Sequence, residues 1–254
     1  PQSEPKELTM TSPANDKPLP RNAASWAAKV DHLQVSAEQS AAGYNIQGRR
    51  VTGPQQGFGK LWQRTYSTNL GDAIDPKALI ADWKLHFGDY WPDGATFHTA
   101  ITGVAPGAVA PIGIDTGAGM TLATGILVLY ADDESFTFMT PEGHMFAGMI
   151  TFEAAAPDDG TLVEIKILIR TNDPLYELGW PVMRRREDTF WMATLANLAA
   201  HHGVPDAVVT ESTTCVDRKR LWSNWGNVRH NAGIRSGLHM VTAPVRALRR
   251  SSGH

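Results

Sequence analysis

The sequence predicts an α+β fold: a curved antiparallel β-sheet gripping one long helix towards the C-terminal end. Three observations predict it. Apolar-alternating segments follow one another from Ala108 to Thr171 with only short polar connections. Such spacing means antiparallel pairing, because parallel crossovers need a dozen or more residues. In the last of these segments Val163, Ile165, Ile167 and Ile169 alternate with Glu164, Lys166, Leu168 and Arg170. One face is apolar and the other mostly charged and solvent-facing. Asp173–Gly203 follows, a stretch of helical length that can cover the apolar face.

Taken in order, residues up to about Ser40 lack periodicity and are rich in Pro, Asn, Ser and Ala. They read as a partly disordered or wrapping arm with a short helix around Ala23–Val30. The glycine-punctuated stretch from Gly48 to Gly59, "GRRVTGPQQGFG", fits neither dinucleotide nor Walker spacing, so it is no phosphate loop. "LWQRTYSTNL" (Leu61–Leu70) alternates like a strand. In "DPKALIADWKLHF" Asp75 is a cap, Pro76 opens the helix, and Leu79, Ile80, Trp83 and Phe87 share one face.

The strands expected next are Ala108–Asp115, Met120–Ala131, Ser135–Thr140, Phe146–Ala155 and Thr161–Thr171, with "ADDES" and "APDDG" as turns. Asp173 and Pro174 then start the long helix and Gly203 with Pro205 stops it. Its expected apolar stripe is Leu175, Leu178, Val182, Phe190, Ala193 and Leu198, with a kink at Pro181. The organisation expected is a flexible arm over 1–47, a helix-grip domain over 48–207, and a basic Trp/Asn/Arg-rich helical extension over 208–254 packed on the domain or a partner.

Composition is that of a soluble globular chain: 42% hydrophobic and 19% charged residues. The longest apolar run, Met120–Ala131, is too short to span a bilayer as a helix. A single cysteine, Cys215, permits no intrachain disulfide and points to a reducing, cytoplasmic setting. Net charge is −3, yet from Val216 onward eight Lys/Arg face one acid, Asp217. That segment carries +7 and the remainder −10. A basic tail can meet an acidic face of its own chain, a sister subunit, or a membrane surface; no nucleic-acid partner is expected.

"GFGKLWQRTY", "VLYADDESFTFMTPEGHMFAGMITF", "RTNDPLYELGW" and "CVDRKRLWSNWGNVRHNAGIR" together resemble an uncharacterised, mainly actinobacterial family of helix-grip proteins. That family is similar to the START, pollen-allergen and polyketide-cyclase class, also called SRPBCC. The resemblance covers roughly residues 48–250. It implies a cavity between sheet and long helix for a hydrophobic small molecule or lipid, and no particular catalytic residue.

The candidate residues follow from this frame. Leu122, Ile126, Phe138, Phe152, Phe190 and Trp191 are expected to line the cavity, with a few polar groups setting ligand orientation. In "TPEGH", Glu142 and His144 stand two apart and share a face if extended, a candidate acid–base pair for cyclase or dehydratase chemistry. The competing reading is a tight connection whose polar residues meet water. In "MRRREDTFW", Glu187 or Arg184 can reach a ligand while the other charges form a solvated face. Trp222, Trp225, Arg229 and Arg235 are the candidate surface or partner residues. Asn224, Asn227 and Asn231 on one helical face suggest docking against another element of this chain or a sister subunit. Leu238, Met240 and Val241 before Arg246, Arg249 and Arg250 allow a membrane-surface helix. No metal site or cofactor is expected: HExxH, CxxC and paired-His spacings are absent, and His201, His202 and Asp206 are too loosely spaced.

Overall fold

A computed structural model of the chain describes residues 22–98, 103–116 and 120–242. The expectations placed on residues 1–21 and on Arg246, Arg249 and Arg250 lie outside the described residues. The strands are β1 (Val51–Thr52), β2 (Leu61–Asn69), β3 (Ala95–Phe97), β4 (Val109–Asp115), β5 (Thr121–Ala131), β6 (Ser135–Pro141), β7 (Phe146–Ala155), β8 (Leu162–Thr171) and β9 (Thr210–Asp217). They form one antiparallel sheet in the order β3-β4-β5-β6-β7-β8-β2-β9, with β1 pairing the end of β6.

The helices are α1 (Pro76–Leu85), α2 (Pro174–His201) and α3 (Ala232–Val241), and a 3₁₀ helix spans Trp222–His230. Asp75 and Asp173 cap α1 and α2 through side chains that each accept two backbone N–H groups. With 28 residues α2 runs about 42 Å across the sheet. The sheet and the helix across it are the helix-grip arrangement that the sequence predicts.

Register lines up the inner side chains in rows. One row runs Val128–Phe138–Ile150–Ile167–Arg64–Thr213, from β5 to β9. The next runs Phe136–Phe152–Ile165–Tyr66–Glu211. Over the first half of these rows lies a nest of rings from β6, β7, α1, the Phe87–Tyr90 turn and α2. Phe152 sits 5.3 Å from Trp83, 5.0 Å from Phe87, 4.8 Å from Phe136 and 5.6 Å from Trp191, between ring centroids. On the outer face the arm packs Leu33 and Ile46 over Leu127. Trp26 bridges to Tyr130 in β5. Of the short helix expected over Ala23–Val30, only a 3₁₀ turn at Ala23–Ser25 forms.

Three expectations are corrected. Leu175, Leu178 and Val182 are exposed on α2 and do not join its apolar stripe; Leu198 faces the sheet as expected, with Trp180, Trp191 and Leu195. Arg170, expected in solvent, is buried beneath the Gly59 and Lys219 carbonyls, which accept from its guanidinium, and pairs with Asp217 at 2.6 Å. The C-terminal segment, expected to be helical, begins with strand β9 and turns helical only at Trp222.

Candidate functional site

The polar end of the inner face is built on Arg64. Its position on β2 is inward, in phase with Trp62 and Tyr66, and it is fully buried. Its guanidinium donates to Glu187 at 2.5 Å and Glu211 at 3.1 Å, pairs closely with Asp188, and reaches the Thr213 hydroxyl through Nε at 3.2 Å. The Tyr66 hydroxyl donates to Asp188 at 2.9 Å, and Arg184 lies 3.8 Å from Asp188 on the next turn of α2. Three carboxylates thus converge on one guanidinium, with a second arginine at the rim. The cluster carries one negative charge in excess when all its groups are ionised.

Burial resolves which carboxylate yields. Burial raises the Glu187 carboxyl, against the pull of Arg64, to about 7. Glu211 is more open; burial raises it, but the Thr213 hydroxyl and Arg64 together outweigh that and hold it below the ordinary value. Tyr66 is pushed well up by burial and by the Glu187 charge. The arrangement therefore favours the protonated form of Glu187 far more than an exposed carboxyl would, beside Asp188 and a buried phenol.

The apolar end lies two strands away, about 10 Å at ordinary strand spacing, along the Arg64 row. Ile150 stands mid-sheet on the face beneath α2, yet it is only half-buried, whereas Phe152, Ile165 and Ile167 around it are at most 1% exposed. Met183 and Phe190 of α2, with Phe97 and Ile114 at the β3–β4 edge, are half-buried against the same core. Ile150 thus keeps some solvent access on an otherwise sealed apolar face. Two open depressions lie elsewhere, one of about 290 Å³ between the His86–Tyr90 turn and the end of α2 at Asn197–His201, and one of about 250 Å³ beside Asp72 and Pro157. Neither reaches the inner face of the sheet at Ile150 or the Arg64 cluster.

The predicted lining residues divide. Phe138, Phe152 and Trp191 are buried in the ring nest with Ile126, Phe190 is half-buried against the same core, and Leu122 lies under the start of α3. Glu142 and His144 go to different partners. Glu142 pairs with Arg49 and His230, each at 3.7 Å. His144 is buried with Nδ1 3.0 Å from the Phe146 backbone N–H, and burial pushes its imidazole down to about 4. A depressed folded value means the neutral ring's stabilisation is present above pH 6.5 and is lost as pH falls towards 4. The His144 ring carbons should accordingly show no NMR titration between pH 5.5 and 8; a midpoint near 6.5 would count against this burial.

The "TPEGH" turn seats the C-terminal segment. Gly143 has φ +90°, and a Cβ there would stand 2.0 Å from the His230 carbonyl oxygen. Its own carbonyl accepts from Ala232 N–H at 2.9 Å. Asn224, Asn227 and Asn231 donate to Gly57, Asn172 and Asp173 respectively, which fixes this segment to its own chain. Trp222 and Trp225 remain exposed, as does Arg229, and Arg235 is half-buried on α3.

Sequence reasoning missed Arg64, Tyr66 and Glu211. The signal was an arginine in the inward phase of an alternating strand. Among the described residues no group of three His, Cys, Asp or Glu has metal-site geometry, and no helix is long and apolar enough to cross a membrane.

No family model matches the sequence, and no curated protein matches it significantly. Solved structures match in part. The di-domain ARO/CYC StfQ from the steffimycin biosynthetic pathway matches at 10% identity and TM-score 0.44, over 56% of this chain and 50% of that one. The chain therefore spans half the length of that protein. Ara h 8.0201 matches at 12% identity and TM-score 0.39 over 55% of this chain and 97% of its own. The major latex-like protein 151 from Panax ginseng matches at 15% identity and TM-score 0.36 over 57% and 99%. With TM-scores this low the likenesses carry no functional argument, and the helix-grip class rests on the chain's own sheet topology with α2 laid across it.

Proposed function

We propose that this protein binds a hydrophobic small molecule or lipid between its sheet and α2. The carrying observation is Ile150, an inward mid-sheet side chain left half-buried where its flanking row neighbours Phe138 and Ile167 are sealed. A ligand there would bury apolar surface against Ile150, Met183 and Phe190, at roughly 25 cal/mol per Å². Its polar end would lie towards Glu187, one helical turn beyond Met183, where the Arg64 cluster sets orientation. The acid–base alternative at Glu142 and His144 has less support, since an ion-paired carboxylate and a sealed neutral imidazole face different partners.

Gently purified protein under native mass spectrometry is expected to retain or take up an apolar ligand. Ile150→Trp, which fills the proposed ligand space, should weaken uptake at least about tenfold, a loss of roughly 1.4 kcal/mol. A clean apo mass with no uptake from lipid libraries would refute this function.

A further inference from the structure

We propose that α3 docks this protein onto an anionic lipid surface. Its amphipathicity is inverted. Ala232 and Ser236 are buried, and Ser236 accepts from Asn45 and from the Ala123 backbone N–H, so a face of small residues lies close on β5. Ile234, Leu238 and Val241 are 45%, 61% and 73% exposed. At 100° per residue these three fall within about 60° of one another on the opposite face. Met240 at 50% exposure flanks them. The helix thus presents its largest apolar side chains to the outside.

Charge selects the occupant. The segment from Val216 onward carries eight Lys/Arg and one acid. That acid is taken by Arg170, and of the described basic residues there, Arg220 is held by Glu177. Arg218, Lys219 and Arg229 are exposed and, with Arg235, make no ion pair among the described residues. The sequence beyond the described part adds Arg246, Arg249 and Arg250 and no acid. A second copy docked two-fold on α3 would set its own basic segment against this one. Residues 1–21, where Glu4, Glu7 and Asp16 balance Lys6, Lys17 and Arg21, offer neither the charge nor the apolar length to cover it. Anionic lipid meets both needs: headgroups for the basic residues and an acyl boundary for Ile234, Leu238 and Val241. Trp222 and Trp225, 70% and 62% exposed just before α3, are residues of the interfacial kind.

The test is co-sedimentation of the full chain with vesicles of phosphatidylcholine alone and of phosphatidylcholine mixed with phosphatidylglycerol. Binding should favour the anionic vesicles by about tenfold and collapse at about 0.5 M salt. Leu238→Glu and Ile234→Glu change exposed side chains and should keep the wild-type circular dichroism while losing most of that binding. Three outcomes would overturn the proposal: no sedimentation at low salt, equal sedimentation of wild type and Leu238→Glu, or a dimeric mass in solution that Leu238→Glu reduces to a monomer. The last result would assign the face to a second copy.

Discussion

Arg64→Met is expected to cost about 3–5 kcal/mol at pH 8, the usual penalty for removing one partner of a buried ion cluster. The volume is nearly kept, so lost packing is a minor part. What remains is Glu187, Asp188 and Glu211 facing one another with only Arg184 at the rim. Against a total stability of about 5–15 kcal/mol, that loss is large enough to leave the variant partly unfolded. The pH dependence separates electrostatics from packing. In the wild type Glu187 stands at about 7 in the fold against an ordinary value of 4.5. The folded state therefore binds this proton more tightly, so its contribution is fully present below 4.5 and is lost as pH rises through 7. Without Arg64 the carboxylates hold protons more tightly still. The penalty should shrink by at least about 1 kcal/mol between pH 8 and pH 5 in urea unfolding. A penalty equal at both pH values would mean that Arg64 acts by packing alone.

The sheet was legible in the sequence because its signal is local. The period-two alternation of Val163, Ile165, Ile167 and Ile169 needs only β8 itself, and Phe146, Ile150 and Phe152 repeat it in β7. The cap-and-proline pairs Asp75–Pro76 and Asp173–Pro174 fixed both helix starts for the same reason. β9 was hidden because its inward residues Glu211, Thr213 and Cys215 face the row ends at Tyr66, Arg64 and Trp62, where the interior is partly polar. Without apolar alternation there was no strand to read.

The same polar interior mis-phased α2. Leu175, Leu178 and Val182 are apolar and correctly spaced, yet the inward arc of that half carries Trp180, Glu187 and part of Asp188. A carboxylate turned inward reads as solvent-facing until its partner is known, and Arg64 lies 123 residues earlier. Glu142 and His144 show the opposite limit of a local reading. Proximity in sequence suggested a pair, while Arg49, His230 and the Phe146 backbone, supplied by tertiary structure, took each side chain separately.

Phe152→Ala and Ile150→Ala, two residues apart on β7, should differ in cost by about 1–4 kcal/mol, and that difference reports on the proposed ligand space. Phe152 is sealed, with Trp83, Phe87, Phe136, Phe138 and Trp191 around it. Its truncation leaves a cavity that the rigid ring nest closes poorly, so about 3–5 kcal/mol should be lost. Ile150 already meets solvent, so its truncation opens further to solvent and creates no sealed void. Only the transfer cost remains, about 1–2 kcal/mol, below the roughly 2–5 kcal/mol of a buried isoleucine. Urea unfolding of ligand-free protein measures both. If the protein copurifies with an apolar molecule, mass action adds its binding free energy to the wild type and the apparent cost of Ile150→Ala rises with ligand concentration. A ligand-independent loss at Ile150 equal to that at Phe152 would mean that the interior is closed there, and the binding function would lose the observation that carries it.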